Sequence, residues 1–172
     1  MKTILVTGPI GSGKSTVCRR LEALGYPVYD CDSRCKALYD SVPGLKERIE
    51  RELGIPFAEL GRIFRDDTLR ERLEAMVYPL LVKDIEEWKA SLSAPAAFIE
   101  SAIAMDKPLF DGLYDSVLLV TAGRALRLSR NPAAAVRDAL QSFDASKIDY
   151  TIRNSSSMEA LEKRIDKFIK QL

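Results

Sequence analysis

One stretch near the start of the chain restricts the possible folds more than any other feature. Residues 8–16 read G-P-I-G-S-G-K-S-T and contain the spacing G-x-x-x-x-G-K-[ST]. They follow the apolar run 3–6 and lead into a helical pattern. Glycines at these positions let the backbone curl so that several N–H groups point at one anion, and the next helix adds its positive dipole end. A strand, this loop and a helix together predict a phosphate-binding loop and a nucleoside triphosphate ligand.

Two side chains of this loop carry expected roles of their own. Lys14 is expected to reach the β- and γ-phosphates of the nucleotide, and the Ser15 hydroxyl is expected to hold Mg²⁺. The alternative is a chance glycine-rich turn between a strand and a helix, in which neither residue would have a function.

The length, the net charge and the apolar runs of the chain limit the kind of protein it can be. A length of 172 residues fits one domain with a small insertion. The net charge of +1 indicates neither a nucleic-acid footprint nor a basic membrane tail. No run approaches the roughly 18 apolar residues of a membrane span, and the short apolar start reads as a buried strand rather than a signal peptide. We therefore expect a soluble, cytoplasmic protein without nucleic-acid or membrane partners, with a monomer as the working expectation.

The cysteine and histidine content limits the kinds of metal site and catalytic group that the chain can contain. Cys18, Cys31 and Cys35 are odd in number and lack C-x-x-C spacing. This favours reduced thiols over a metal site. The chain contains no histidine, which excludes histidine bases, histidine-containing triads and histidine metal sites.

The order of the predicted elements indicates the fold. Strands are predicted at 3–7, 27–29, 96–101, 116–121 and 150–152, with helical patterns between them. This alternation predicts an α/β fold: a P-loop three-layer sandwich whose five-stranded parallel sheet is flanked by helices. A charge-rich helical block, residues 43–93, reads as an insertion into a core formed by 1–42 and 94–172. A short lid is expected at about 127–143.

Three local signals mark helix boundaries. A helix is expected from about Ser33 to Tyr39. Pro79 is expected either to kink the long helix that starts near residue 66 or to begin the next one. Ser156 and Glu159 have capping-box spacing and predict the start of the final amphipathic helix.

Three carboxylates are predicted at the edge of the sheet where ligands bind, which is the carboxyl end of the strands. Asp32 is a candidate general base that accepts the proton of an attacking hydroxyl. Its alternative role is the N-cap of the helix near Ser33, which Ser33 itself could fill. Asp30 and Glu100 are candidates for holding Mg²⁺ through water, and Glu100 also for contacting the acceptor. Alternatively, both are polar strand ends.

Basic residues supply the remaining candidates. Arginines after the fourth strand, Arg130 and Arg137, are expected to fold over the triphosphate and neutralise charge as the phosphoryl group moves. Arg127 shares this segment and fits a solvated helix face equally well. Three further residues flank the proposed acceptor cleft and are either phosphate-binding or surface charge: Lys36, Arg65 and Arg70.

The absence of characteristic motifs excludes two large classes of P-loop protein. Neither the D-x-x-G nor the N-K-x-D motif of GTPases occurs, and the glycine-rich signature helix of transporter ATPases is absent. A short chain with a helical insertion and an arginine-bearing segment is typical of a small-molecule kinase.

Five segments together resemble one family, dephospho-coenzyme A kinase, over almost the whole chain. Two lie near the start, T-G-P-I-G-S-G-K-S-T-V at 7–17 and L-G-Y-P-V-Y-D-C-D at 24–32. The third is I-F-R-D-D-T-L-R-E-R-L-E-A-M-V-Y-P-L at 63–80. The last two are F-I-E-S-A-I at 98–103 and D-Y-T-I-R-N at 149–154.

The resemblance implies a parallel core, a helical CoA domain and a lid. It implies transfer of the ATP γ-phosphate to the ribose 3′-hydroxyl of dephospho-CoA with Mg²⁺, the last step of coenzyme A synthesis. By this analogy Asp32 is the general base and Asn154 lies near the adenine of ATP. The ATP phosphate site is then formed by Gly11, Ser12, Gly13, Lys14, Ser15 and Thr16.

The chain departs from the family pattern in three places. Tyr78 stands before Pro79, where the family usually has histidine. The segment between Arg130 and Arg137 is shorter than the family's lid. The insertion is also short, with few residues between Gly44 and Ile63. The short lid motivates one alternative, a nucleotide-binding regulatory protein with a degenerate lid. A further alternative is a kinase for another small acceptor, because the residues themselves do not identify the acceptor.

Overall fold

The computed structural model describes residues 1–137 and 143–172, apart from the side chains of Phe64, Val136 and Arg137. The chain divides into two compact units. The first combines Met1–Asp30 with Ser91–Leu172, and the second is Cys31–Ala90.

The first unit contains a parallel sheet that confirms the predicted fold class. Within the described residues five strands form it: β1 Lys2–Thr7, β2 Val28–Asp30, β3 Ala96–Glu100, β4 Ser116–Thr121 and β5 Tyr150–Arg153. Their order is β2-β3-β1-β4-β5, and every neighbouring pair is parallel. The central strand β1 reads as an unbroken apolar run because it is buried on both faces of the sheet.

Two helices cover one face of this sheet. These are α1, Lys14–Ala23, and α7, Met158–Ile169. Their apolar stripes pack with every second strand residue, because successive side chains alternate between the faces. The resulting cluster includes Ile4, Val6, Phe98, Leu118, Val120 and Ile152 from the strands and Val17, Cys18, Leu21, Leu161, Ile165 and Phe168 from the helices.

The strand register fixes which residues meet at the carboxyl edge. Glu100 at the end of β3 pairs with Val6 of β1 on one side and with Asp30 of β2 on the other. The phosphate loop follows β1 directly. The sheet therefore brings two carboxylates to the edge from which this loop emerges.

The second unit is helical. It contains α2, Cys31–Ser41, α3, Leu45–Leu53, a 3-10 segment, Phe57–Arg65, and α4, Asp67–Ala90. Arg34 of α2 donates two hydrogen bonds to the Asp84 carboxylate of α4, at 2.9 and 2.6 Å. The unit starts earlier than the expected insertion of 43–93 because α2 packs against both α3 and α4.

These boundaries correct two local predictions and decide between the two alternatives for Pro79. Helix α2 begins at Cys31, so Asp32 and Ser33 lie inside its first turn and neither is an N-cap. Pro79 lies within a single helix, α4. The N-cap of α7 is Ser157, whose hydroxyl accepts from the Ala160 amide at 3.3 Å, so the predicted capping box at Ser156 is shifted by one residue.

The region after β4 contains two short helices, α5, Arg124–Arg130, and α6, Ala134–Arg137. The rest of the helical pattern predicted up to 142, and with it part of the expected lid, falls at 138–142 and outside the described residues. Across the described ranges no helix has the length and apolar character needed to cross a bilayer.

Candidate active site

The loop between β1 and α1 has the backbone shape that a bound anion requires. Gly11 and Gly13 have φ angles of 76° and 94°, in the left-handed region. A side chain at Gly11 would meet the Arg127 carbonyl oxygen at 2.6 Å, and one at Gly13 would collide with the Asn154 amide. Glycine is needed at both positions, because other residues disfavour this conformation and the space is filled.

The start of α1 is open to a negative ligand. Gly13 is its N-cap and provides no side-chain acceptor, and the first turn contains no acidic residue. The first N–H groups of a helix have no intrahelical partner, and they carry the positive end of the dipole. A phosphate group would accept hydrogen bonds from these N–H groups, and its negative charge would be stabilised by the dipole.

Lys14 lies folded onto its own loop. Its ammonium group donates to the Gly8 carbonyl oxygen at 2.8 Å and approaches that of Pro9 at 3.5 Å. Phosphate oxygens would form stronger, charge-assisted bonds with this ammonium group than backbone carbonyls do. We therefore expect Lys14 to exchange these contacts for phosphate when a nucleotide binds.

Glu100 and Ser15 are in direct contact beside the loop. The Ser15 hydroxyl donates to Glu100 Oε1 at 2.7 Å. Burial raises the pKa of Glu100, whereas the hydrogen bond from Ser15 lowers it. The charge of Asp30 adds to the rise, and the neighbouring Cys18 thiol and the charge of Lys14 oppose it.

These groups fit Mg²⁺ by their chemistry. Ser15 and the carboxylates of Asp30 and Glu100 are hard oxygen donors, the type that Mg²⁺ prefers. Because the single hydroxyl proton of Ser15 is committed to Glu100, its lone pairs are left for a cation. The described residues contain no group of three or more histidine, cysteine or acidic side chains arranged to hold a metal. One hydroxyl and two carboxylates suit an ion that keeps several waters and also binds substrate phosphates, as Mg²⁺ does.

Three side chains hold consecutive carbonyl groups of the loop from outside. Asn154 is 6% exposed and donates from Nδ2 to the Ser12 oxygen at 2.9 Å. Arg130 Nη1 lies 3.3 Å from the Gly11 oxygen, and Arg127 Nη1 lies 3.4 Å from that of Ile10. These three contacts therefore support the shape of the loop.

The predicted nucleotide residues gather around this loop in the first unit. Thr16 lies in the first turn of α1, where its hydroxyl accepts from Arg19. Asn154 contacts Ser12, and its expected contact with adenine stays a prediction. Arg130 also reaches the Asn154 carbonyl oxygen at 3.3 Å. The side chain of Arg137 lies outside the described residues.

The predicted acceptor residues belong to the second unit. Asp32 and Lys36 are exposed and lie one turn apart on α2. Arg65 is exposed and lines a shallow surface depression with Glu59 and Arg62. Arg70 is half-buried and pairs with Asp67 at 2.8 Å and more loosely with Glu74 at 3.9 Å.

Tyr78, the residue that replaces the family's usual histidine, is also placed in the second unit. Its hydroxyl hydrogen-bonds to Glu74, one turn earlier in α4. Burial raises the pKa of the phenol, and the Glu74 charge raises it further. On α2, the Cys35 thiol lies 3.9 Å from the Tyr39 hydroxyl. A neutral phenol at position 78 donates a hydrogen bond but does not titrate near neutral pH as a histidine would.

Sequence reasoning did not decide the role of one residue at the site. Arg127 was left undecided between function and a solvated face. It is 8% exposed, and its position at the loop becomes visible only when α5 is placed against it.

Comparison with known proteins identifies the family. The family model for dephospho-CoA kinase matches residues 2–169. The curated dephospho-CoA kinase of Porphyromonas gingivalis is 37% identical over 139 residues, covering 76% of this chain and 68% of the relative. That of Anaeromyxobacter dehalogenans is 31% identical over 197 residues, covering all of this chain and 92% of the relative. The chain belongs to the dephospho-CoA kinase family. It is therefore a phosphotransferase that uses ATP.

Solved structures agree with this dephospho-CoA kinase fold. The Thermus thermophilus protein TT1252 has a TM-score of 0.81 at 28% identity, with 99% of this chain and 97% of that chain covered. Dephospho-CoA kinase from Campylobacter jejuni has a TM-score of 0.65 at 21% identity, with the same coverage. Shikimate kinase from Acinetobacter baumannii has a TM-score of 0.54 at 18% identity, with 99% and 92% covered. The last two likenesses show the fold alone.

Proposed function

We propose that this chain transfers the γ-phosphoryl group of ATP to the ribose 3′-hydroxyl of dephospho-CoA, giving coenzyme A and ADP. The observation that carries the proposal is the phosphate loop, in which Lys14 folds onto the Gly8 carbonyl oxygen, together with the adjacent Ser15–Glu100 pair. Membership of the dephospho-CoA kinase family supplies the acceptor.

In the proposed reaction the bond from the acceptor oxygen to the γ-phosphorus forms as the bond to the β,γ-bridging oxygen breaks. The electron pair of the broken bond leaves with ADP. Lys14 and Arg130 neutralise charge on the phosphates, and we assign the same role to Arg137. The loop backbone and the start of α1 orient the triphosphate, so that little reorganisation is needed during transfer.

We assign the proton of the 3′-hydroxyl to Asp32. A carboxylate can accept that proton as the oxygen attacks. Asp32 is exposed in the first turn of α2 and follows Asp30, the last residue of β2, by two positions in the chain. Cationic residues of the second unit are assigned to the acceptor's phosphates: Lys36, Arg65 and Arg70.

Mg²⁺ is proposed as the metal of the reaction. Ser15 would hold it directly, and Asp30 and Glu100 would hold its waters. When bound, the ion would supply positive charge that offsets the negative charge developing on the phosphates. The hydroxyl–carboxylate contact at 2.7 Å orients Ser15 for this task.

A direct test measures ADP formation by the purified chain with Mg-ATP and each of four acceptors: dephospho-CoA, adenosine, AMP and shikimate. We expect ADP release only with dephospho-CoA, and the product's phosphate on the 3′-oxygen by ³¹P NMR. ATP binding without release for any acceptor would favour the regulatory alternative that the short lid motivates. Release with a control acceptor would instead overturn the substrate assignment.

Location and assembly complete the proposal. We propose a cytoplasmic enzyme that acts as a monomer, because each predicted substrate is a small molecule and every predicted site residue is supplied by one chain. Size-exclusion chromatography with light scattering, with and without both substrates, tests the monomer.

A further inference from the structure

We propose that Asn154 is a positioning residue of the phosphate loop and that it acts on the bound triphosphate through the Ser12–Gly13 peptide group. Its side chain is then committed to the loop and does not read the adenine base. The inference rests on the proposed binding of the ATP phosphates by this loop and is independent of the acceptor. It gives Asn154 a task that the family resemblance does not, because the resemblance places this residue only near adenine.

The first step of the argument is that the sheet fixes the backbone of Asn154. The residue directly follows β5, and its backbone amide donates to the Thr121 carbonyl oxygen at 2.6 Å. This bond continues the pairing of β5 with β4. Because the side chain is short and buried, few rotamers are open to it, and its amide is held at one place against the loop.

The second step is the contact that this amide makes. Asn154 Nδ2 donates to the Ser12 carbonyl oxygen at 2.9 Å, the usual length of an N–H···O bond, and both residues are buried. A side chain at Gly13 would meet the same nitrogen at 2.2 Å. The amide therefore lies against both residues that share one peptide group of the loop.

The third step is the geometry of that peptide group. In a planar trans peptide the C=O of Ser12 and the N–H of Gly13 point in opposite directions. Holding the Ser12 oxygen toward Asn154 therefore aims the Gly13 N–H away from Asn154, toward the inside of the loop. Backbone N–H groups inside a loop of this kind donate to phosphate oxygens. One hydrogen bond on the outside of the loop thus orients one donor for the triphosphate.

Arg130 contacts the same part of the loop less firmly. Its Nη1 lies 3.3 Å from the Gly11 oxygen and 3.5 Å from the Ser12 oxygen, both beyond the usual range of about 2.7–3.2 Å. A guanidinium group forms stronger, charge-assisted bonds with phosphate than with carbonyl oxygens. We expect Arg130 to turn to the phosphates when a nucleotide binds, whereas the uncharged Asn154 amide keeps its bond to Ser12.

Two competing roles for Asn154 are recognition of adenine and stabilisation of the fold alone. Three ligands separate these roles from the proposed one: ATP, GTP and inorganic tripolyphosphate, which has the phosphates without base or sugar. A residue that reads adenine affects the affinity for ATP selectively. A residue that positions the loop affects the affinity for all three ligands by the same factor. A purely structural residue changes the unfolding temperature and none of the affinities.

The experiment measures the affinity of the full chain for each ligand with Mg²⁺ by calorimetry, together with the unfolding temperature of each variant. Asn154→Leu keeps the branched shape of the side chain and removes the donor, and Asn154→Ala removes both. We expect each variant to lose about threefold to tenfold in affinity for all three ligands, the effect of one hydrogen bond. The ratio of ATP affinity to tripolyphosphate affinity should stay within about twofold. Ile152→Val, in the apolar cluster of the same strand, should lower the unfolding temperature and leave the three affinities unchanged.

The outcomes separate failure of this inference from failure of its premise. A loss of ATP affinity with unchanged tripolyphosphate affinity would overturn the inference in favour of adenine recognition. Wild-type affinities in Asn154→Leu would also overturn it, because the hydrogen bond would then have no effect on the loop. Unchanged affinity for all three ligands in Lys14→Ala would overturn the proposed phosphate site, and the inference with it. The experiment contains no acceptor, so an error in the acceptor assignment leaves its result unaffected.

Discussion

At the residue scale, Lys14 and Asp32 carry the sharpest kinetic predictions. Lys14→Ala should lower kcat/KM by about 10²–10³-fold, because it removes charge aimed at the transferring phosphoryl group.

Asp32→Asn should lower kcat by about 10²–10⁴-fold and leave Mg-ATP affinity unchanged, because the base acts only on the acceptor. Steady-state kinetics measures these changes for both the Lys14 and the Asp32 variants, and circular dichroism shows whether each variant is folded. An Asp32→Asn enzyme with near-normal turnover would remove the base assignment.

The raised pKa of Tyr78 predicts how the stability of the fold changes at alkaline pH. The fold raises the pKa of this phenol above the unfolded value of about 10, so the folded state holds the proton more tightly. The stabilisation is present below pH 10 and is lost as pH rises toward the folded pKa. Tyr78→Phe should cost about 1 kcal/mol at pH 8 through loss of the bond to Glu74, and less above pH 10. Urea unfolding from pH 8 to 10.5 measures this, and an equal cost at every pH would contradict it.

At the element scale, the start of α7 tests the corrected boundary. Ser157 accepts from the Ala160 amide, whereas the Ser156 hydroxyl accepts from Arg164 at 3.0 Å. Ser157→Ala should therefore cost about 1 kcal/mol of unfolding free energy. The matched change Ser156→Ala should stay within about 0.5 kcal/mol. The reverse order in denaturant unfolding would restore the capping box read from the sequence.

Element boundaries show where sequence reasoning succeeds and where it fails. Strand β4 was predicted at its observed bounds. A short continuous apolar run is typical of a strand that is buried on both faces of a parallel sheet. The start of α2 was predicted about two residues late, at Ser33 rather than Cys31. The helix begins directly after Asp30, where β2 ends, so no loop of turn residues separates the two elements. Its packing on α3 and α4 depends on contacts distant in sequence, which local propensity does not show.

At the scale of the whole molecule, the site was predictable where one continuous segment builds it. The phosphate loop contains its own glycines, Lys14 and Ser15, so a pattern of nine residues was sufficient. Contacts such as Arg127 with Ile10, or Asn154 with Ser12, join residues more than a hundred positions apart. Only the strand order, which puts β4 next to β1 and β5 next to β4, brings these residues to the loop.

Ligand linkage gives a prediction for the whole chain. A ligand at 100 times its dissociation constant stabilises the folded state by about 2.7 kcal/mol, which corresponds to a rise of roughly 5–10 °C in Tm for a chain of this size. A non-hydrolysable ATP analogue with Mg²⁺ should give this rise, and dephospho-CoA should add a second, because the two ligands occupy different residues. Lys14→Ala should lose most of the first rise and keep the second. Differential scanning fluorimetry measures both, and the absence of any shift with dephospho-CoA, with or without the analogue, would contradict the acceptor assignment while leaving nucleotide binding intact.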